Sequence, residues 1–342
     1  MSYQDSSTHL EGVARLATEL MYAEAINEGL REEMKRDNSI VILGEEVGTY
    51  GGTYKVTQGL MKEFGANRVL DTPISEAAIV GTAVGAAVMG LRPVAELMFF
   101  DFTSIALDQI MTHAAKMRFM SGGQVKVPMV VRTQYSLGRG YGCQHSQFYP
   151  SIFLQSPGVK VVLPATPKDA KGLIKSALRQ DDPVVFIESG LLYFTAKGEV
   201  MGPDYLTPIG KADVKRSGKD ITIVAISRTV YEALKAAEEL EHEGINVEVL
   251  DMMTVQPMDY DTLEKSVQKT GRLLVAEDSV KTGGLSSEIS AHVAESMIDY
   301  LQAPIARVNS PPMPVPFAKE LERAYMVSGS KIAEAARSLM KA

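Results

Sequence analysis

Short apolar runs rich in β-branched residues alternate with amphipathic stretches along most of this chain, and that alternation leaves it few folds. "SIVILG" closes at Gly44, and further strands are predicted at Val94–Leu97, "VPMVVRT" (127–133), "VKVVLPA" (159–165) and "PVVFIES" (183–189). Between them lie helical stretches. "LMYAEAINEGLREEMKRD" puts Ala23, Ile26, Leu30 and Met34 on one face, and "SIALDQIMTHAAKMRFM" (104–120) and "TPKDAKGLIKSALRQ" (166–180) read as helices. Strands alternating with helices predict an α/β protein with a mostly parallel sheet covered on both faces.

The rhythm breaks once. "AKGEVMGPDYLTPIGKADVKRSGKD", rich in Gly, Pro and Lys, predicts a linker over 196–218. A second α/β unit follows in 219–342, with strands "ITIVAIS", "INVEVLD", "RLLVAED" and "APIARVN". Its first helix, "TVYEALKAAEELEHEG", ends at Gly244, where a C′ glycine belongs. The first unit covers 18–195, behind a polar tail at 1–17. A length of 342 residues suits two such units.

The net charge of −7 argues against nucleic acid as the main partner, since a duplex binder needs a basic face. One cysteine, Cys143, rules out an intrachain disulfide framework and fits a reducing compartment. No charged n-region with an apolar core opens the chain, and no run suits a membrane span, so a cytoplasmic protein is expected. "GRGYG" (138–142) fails the dinucleotide fingerprint because Cys143 stands where a third glycine is needed. Gly210-Lys211 is followed by Ala212, so no phosphate-binding P-loop forms. No Cys-x-x-Cys or His-Glu-x-x-His predicts zinc.

Three sets of residues remain. Glu76 follows Thr72-Pro73 and Ser75, a natural N-cap, and opens fifteen residues without a charge, Ala77–Leu91. Its ordinary role is to complement a helix dipole. Yet Ala77, Gly81 and Gly85 leave a thin helix surface that another backbone or a flat ligand can approach, and an acid beside it could share a proton with a ligand nitrogen. His145, in "GYGCQHSQ", is the one histidine of five in a glycine-rich loop, where it is either a surface residue or a proton carrier. Glu45, Glu46 and Asp108 are surface acids by default.

The motifs "LGEEVGTYGGTYKVTQGL", "DTPISEAAIVGTAVGAAVMGLRPVAELMFFDF", "QHSQ", "DAKGLIKSALRQDDPVV" and "PIGKADV" together resemble, in order, the beta subunit of thiamine-diphosphate-dependent 2-oxo acid dehydrogenases. That family covers pyruvate, branched-chain 2-oxo acid and acetoin dehydrogenases. The resemblance implies a transketolase-like chain of two domains, each with a mostly parallel sheet covered by helices. The first would bind the aminopyrimidine half of thiamine diphosphate, and the second would serve assembly. The family's invariant glutamate matches Glu76, the residue packing on the pyrimidine matches Phe102 with Met98 nearby, and the active-site histidine matches His145. Acids matching Glu45 and Asp108 line a tunnel between paired sites. A structural potassium ion matches Met129, Ala177, Gln180 and Asp182, with Gln180 departing from the aspartate of close relatives. The family's diphosphate- and Mg²⁺-binding Gly-Asp-Gly element is missing, which implies a separate alpha subunit, a two-alpha, two-beta tetramer and a lipoyl-bearing transacylase as acceptor. The alternatives are half of a split transketolase acting on sugar phosphates, and a non-catalytic α/β scaffold subunit.

Overall fold

The structure is a computed structural model that describes residues 18–342; the polar tail expected over 1–17, with His9, lies outside the described residues. In chain order the first half comprises β1 (Thr18–Met21), α1 (Tyr22–Arg36), β2 (Ile40–Gly44), α2 (Leu60–Phe64), β3 (Val69–Asp71), α3 (Glu76–Val88) and β4 (Arg92–Leu97). It continues with α4 (Ala115–Met120), β5 (Val130–Tyr135), β6 (Lys160–Val162), α5 (Pro167–Leu178), β7 (Val184–Ser189), α6 (Leu192–Thr195) and β8 (Lys197–Val200). The second half runs β9 (Asp213–Arg216), β10 (Ile221–Ala225), α7 (Thr229–Glu241), β11 (Val247–Asp251), β12 (Thr254–Gln256), α8 (Tyr260–Thr270), β13 (Leu273–Val280), α9 (Leu285–Ser296), β14 (Ala306–Ser310), α10 (Lys319–Tyr325) and α11 (Gly329–Met340).

The first large sheet has seven strands in the order β12-β6-β7-β5-β4-β2-β3, parallel except for β12. Its faces follow the period of two. Ile40, Ile42, Val94, Val130, Val184 and Phe186 meet α1 and α5 on one side, and Leu43, Ala95, Leu97, Val131, Val185 and Ile187 meet α3 on the other. Helix α1 has no side-chain cap from Met21, although Glu24 accepts the Met21 amide at 2.8 Å. Packing decides its stability: Ile26, Leu30 and Met34 are fully buried, each worth about 1.5–3 kcal/mol against about 1 for a cap. The second sheet, β14-β13-β10-β11-β9, is parallel except for β9.

Three features differ from the sequence reading. Residues 196–218 are not a plain connector, because β8 pairs antiparallel with β1 and β9 forms the edge of the second sheet. Residues 104–120 are not one α-helix. A 3₁₀ segment (Phe100–Ser104) leads to a π-helix (Asp108–Ala114) and only then to α4. Strand β12, from the second half of the chain, adds to the edge of the first sheet through Thr254 opposite Val162. Lys215 strengthens that seam by reaching Asp169 of α5 at 2.5 Å and Asp251 of β11 at 3.6 Å. Among the described residues no helix is long and apolar enough to cross a membrane.

Candidate active site

Strands β2 and β4 are neighbours, but the chain leaves β2 toward β3 and leaves β4 toward β5. Connections that diverge from adjacent parallel strands open a crevice at the strands' C-terminal ends, the usual ligand site of such sheets. Glu45 follows the last residue of β2, Met98 and Phe102 follow β4, and Glu76 begins α3 on its way from β3 to β4. Gly44 allows the close approach needed here, since a Cβ there would lie 2.8 Å from the Glu96 carbonyl oxygen. Glu46, just beyond, adopts a left-handed backbone (φ +57°) that few non-glycine residues take and that turns the chain away from the sheet.

Glu76 is 6% exposed. Ser75 occupies the N-cap position but its hydroxyl caps nothing, so Glu76 stands alone at the end of the helix where free N–H groups favour an anion. Among the described residues no hydrogen bond or ion pair engages its carboxylate. Burial, and then the negative charges of Glu76 and Glu96, hold the half-buried Glu45 carboxyl above the usual carboxylate range. Glu96 pairs with Arg132, whose Nε meets Glu188 at 2.5 Å, and the Tyr193 hydroxyl donates to Glu188. This row crosses β4, β5 and β7 on the α1 side of the sheet, with Arg132 opposite Glu96 in register. Burial pushes the Glu188 carboxyl up to about 7, against the pull of Arg132.

Aromatic rings form the other wall. Phe99 packs edge-on against His145 at 4.8 Å between centroids, Phe102 at 5.7 Å and Tyr141 at 5.9 Å, and His145 lies 5.3 Å from Phe102. The His145 loop is tied down at its downstream end by Asp101, whose Oδ1 accepts the Gln147 amide at 3.2 Å and its Nε2 at 2.8 Å. The other oxygen of Asp101 is buried without a partner, and burial lifts this carboxyl although Gln147 and the charge of His145 pull it down. The Met98 carbonyl accepts from Gln134 Nε2 at 3.0 Å, which fixes the chain as it leaves β4.

The structure thus brings Glu45 and Glu76 together at one mouth and places His145, Phe102 and Met98 at the same edge of the sheet. Asp108 stands apart: it is exposed at the start of the π-helix, 3.3 Å from His113 Nε2. At the four positions matched to potassium, polar partners are already present. The Gln180 carbonyl accepts from Arg92 Nη1 at 2.7 Å, Met129 O from the Val184 amide and Ala177 O from the Gln180 amide, while Asp182 pairs with Arg118 and Lys160. A guanidinium on one of the intended carbonyls opposes a second cation, so this corner does not fit potassium as it stands. Among the described residues no group of three or more His, Cys, Asp or Glu side chains is arranged to hold a metal. Glu96, Arg132 and Glu188 are not among the site residues expected from the sequence. Their signal was a charge inside an apolar strand run, which demands a buried partner.

Residues 18–195 match the family model described as transketolase, pyrimidine binding domain, and residues 210–332 match transketolase, C-terminal domain. The chain is 44% identical over 321 residues to the 2-oxoisovalerate dehydrogenase subunit beta of Bacillus subtilis (strain 168), covering 94% of this chain and 98% of that one. The chain belongs to the beta-subunit family of 2-oxo acid dehydrogenases. Another member, the mitochondrial pyruvate dehydrogenase E1 component subunit beta-2 of Oryza sativa subsp. japonica, is 45% identical over 324 residues, 94% of this chain and 86% of the relative. The family's fold extends further. A solved structure titled split gene transketolase, inactive beta4 tetramer, superposes with a TM-score of 0.78 over 94% of this chain and 98% of that chain at 23% identity.

Proposed function

We propose that this chain is the beta subunit of a thiamine-diphosphate-dependent dehydrogenase that cleaves a 2-oxo acid (pyruvate or a branched-chain analogue) or acetoin and passes the acyl unit to a lipoyl group on a partner transacylase. The observation that carries the reading is Glu76, a mostly buried residue whose carboxylate has no hydrogen-bond or ion-pair partner among the described residues, at the switch-point crevice of a pyrimidine-binding domain. The residues fit a flat heteroaromatic ring, with an acid that has no partner among the described residues available to one ring nitrogen and edge-packed aromatics beside it.

Thiamine diphosphate, when bound, supplies the electron sink for the carbon–carbon cleavage. Glu76 would hold a proton at a pyrimidine ring nitrogen. Phe102 and Met98 would pack against the ring and exclude water. Glu45, whose carboxyl is held above the usual range by burial and the charges of Glu76 and Glu96, would line the approach beside Glu76, and Asp108 would join it only once a neighbouring chain covers that surface. His145 would orient the substrate or protonate a sulfur of the opening lipoyl disulfide. Diphosphate and Mg²⁺ fall to an alpha subunit, since this chain has no Gly-Asp-Gly element, and the working form would be a two-alpha, two-beta tetramer in the cytoplasm. In this reading residues 18–195 hold cofactor, 219–342 serve assembly and 196–218 join them.

The test is a screen of the reconstituted tetramer with pyruvate, branched-chain 2-oxo acids and acetoin, using a lipoyl domain as acceptor. Reductive acylation with one of them is the expected result. Ketol transfer between sugar phosphates would instead assign a split transketolase, and failure to bind thiamine diphosphate with any alpha partner would assign a non-catalytic subunit.

A further inference from the structure

The loop that carries His145 runs from β5 to the 3₁₀ turn at Pro150, and Asp101 holds only its downstream end. Its upstream end is held by a residue from the far end of the chain. Glu322, in α10, is 2% exposed, and its two carboxylate oxygens each accept one backbone amide, from Gly138 and from Gly140, both at 2.8 Å. Those two glycines have φ of +90° and +74°, a region glycine enters without steric cost. That backbone turns alternate N–H groups toward one point and makes a small anion-binding nest. The contact is close along its length. A Cβ on Gly138 would lie 3.0 Å from Met326 Cε, and one on Gly142 would lie 3.4 Å from the Phe317 ring. Hydrogen bonds to a charged acceptor are roughly twice as strong as neutral ones, so this carboxylate outweighs any neutral contact the loop makes.

We propose that Glu322 is a positioning residue: it fixes the loop that presents His145, so the C-terminal unit sets the geometry at the N-terminal crevice. The inference rests on the reading of His145 given above, but its test does not depend on activity alone. Glu322→Gln keeps the shape and turns one acceptor into a donor facing an N–H, and Glu322→Ala removes both acceptors. Hydrogen exchange on the full-length chain should show faster exchange in peptides covering 136–145, on the order of 10-fold for the glutamine variant and more for alanine, with α11 and β13 unchanged. In the reconstituted enzyme, Glu322→Ala should slow the step that His145 serves, and the double variant with His145→Ala should be no slower than His145→Ala alone. Unchanged exchange in 136–145 overturns the proposal. So does exchange that rises equally in α11 and β13, or a double variant whose losses multiply. If His145→Ala costs nothing in any assay, the reading of His145 falls, and the exchange experiment still decides whether Glu322 fixes the loop.

Discussion

Glu76 is a mostly buried residue whose carboxylate has no partner among the described residues, and it stands where helix geometry favours an acid. Its place was legible in the sequence, because Pro73 and Ser75 mark a helix start and the next fifteen residues carry no charge. What the sequence did not disclose was its company. Its electrostatic neighbour Glu45 follows β2, and only the sheet register brings Glu96 of β4 beside Arg132 and near that same Glu45. Glu76→Gln keeps volume and helix position but removes the acid. In the reconstituted enzyme, decarboxylation followed with an artificial electron acceptor should fall ~10²–10⁴-fold, with the melting temperature little changed. Near-normal turnover would reduce Glu76 to a helix-dipole acid. His145→Ala divides the cycle differently: it should still bind thiamine diphosphate and decarboxylate, yet lose acyl transfer to the lipoyl domain on the order of 10²-fold. Equal losses in both assays would move His145 to the substrate itself.

Elements were readable where their period was long and regular. The stripe in α1 and the apolar runs of β2, β5 and β7 announce themselves, because each buries a whole face. The strands β8, β9 and β12 did not, being three or four residues long, on sheet edges, and polar or proline-flanked. The π-helix was hidden too, because its composition is that of an α-helix and only the hydrogen bonding differs. Helix α8 shows how the supposed linker is held. Its N-cap, Asp259, accepts from Thr262 N and Oγ1 and also from the Ala212 amide at 3.1 Å, which ties residues just before β9 to α8. Burial of Asp259 works to raise its carboxyl, but the amide and hydroxyl donors win and hold it below the usual range. A depressed folded-state value means stability that is present above the unfolded value and lost as pH falls through the folded one. Asp259→Asn should therefore flatten the acid limb of melting temperature against pH below about pH 4. Asp259→Ala should cost about 1 kcal/mol or more at neutral pH. An unchanged acid limb in the asparagine variant would show that the donors do not discriminate between the two states.

At the scale of the whole molecule, the chain is closed on itself but not on all sides. Strand β12 and the Glu322 contact join the two halves through residues about a hundred or more positions apart, and no local pattern in sequence can announce such a pairing. Among the described residues, α3 presents an exposed face without charge. Along α3 and its C-cap, Ala78, Thr82, Gly85 and Met89 recur at helical spacing, all exposed and none charged, with Ile74 at 80% and Met89 at 83% exposure flanking the helix. A charge-free stripe this long is unusual for a surface helix that meets only water, and it suits burial in the proposed two-alpha, two-beta assembly. Gly85 provides a clean test, since a Cβ there meets nothing within 4 Å. Gly85→Arg should leave the isolated chain at least as stable, because replacing a mid-helix glycine gains about 1 kcal/mol of helix propensity. It should nevertheless abolish the assembled species in size-exclusion chromatography, because a guanidinium would be forced into a close-packed contact. The unassembled variant and the wild-type chain alone should then behave alike, with no 2-oxo acid turnover in the presence of thiamine diphosphate and Mg²⁺, since in the proposed assembly the diphosphate half of the cofactor belongs to the other subunit. Normal assembly of Gly85→Arg would mean that this face of α3 is not where subunits meet. Robust turnover by the wild-type chain alone would sink the two-chain reading altogether.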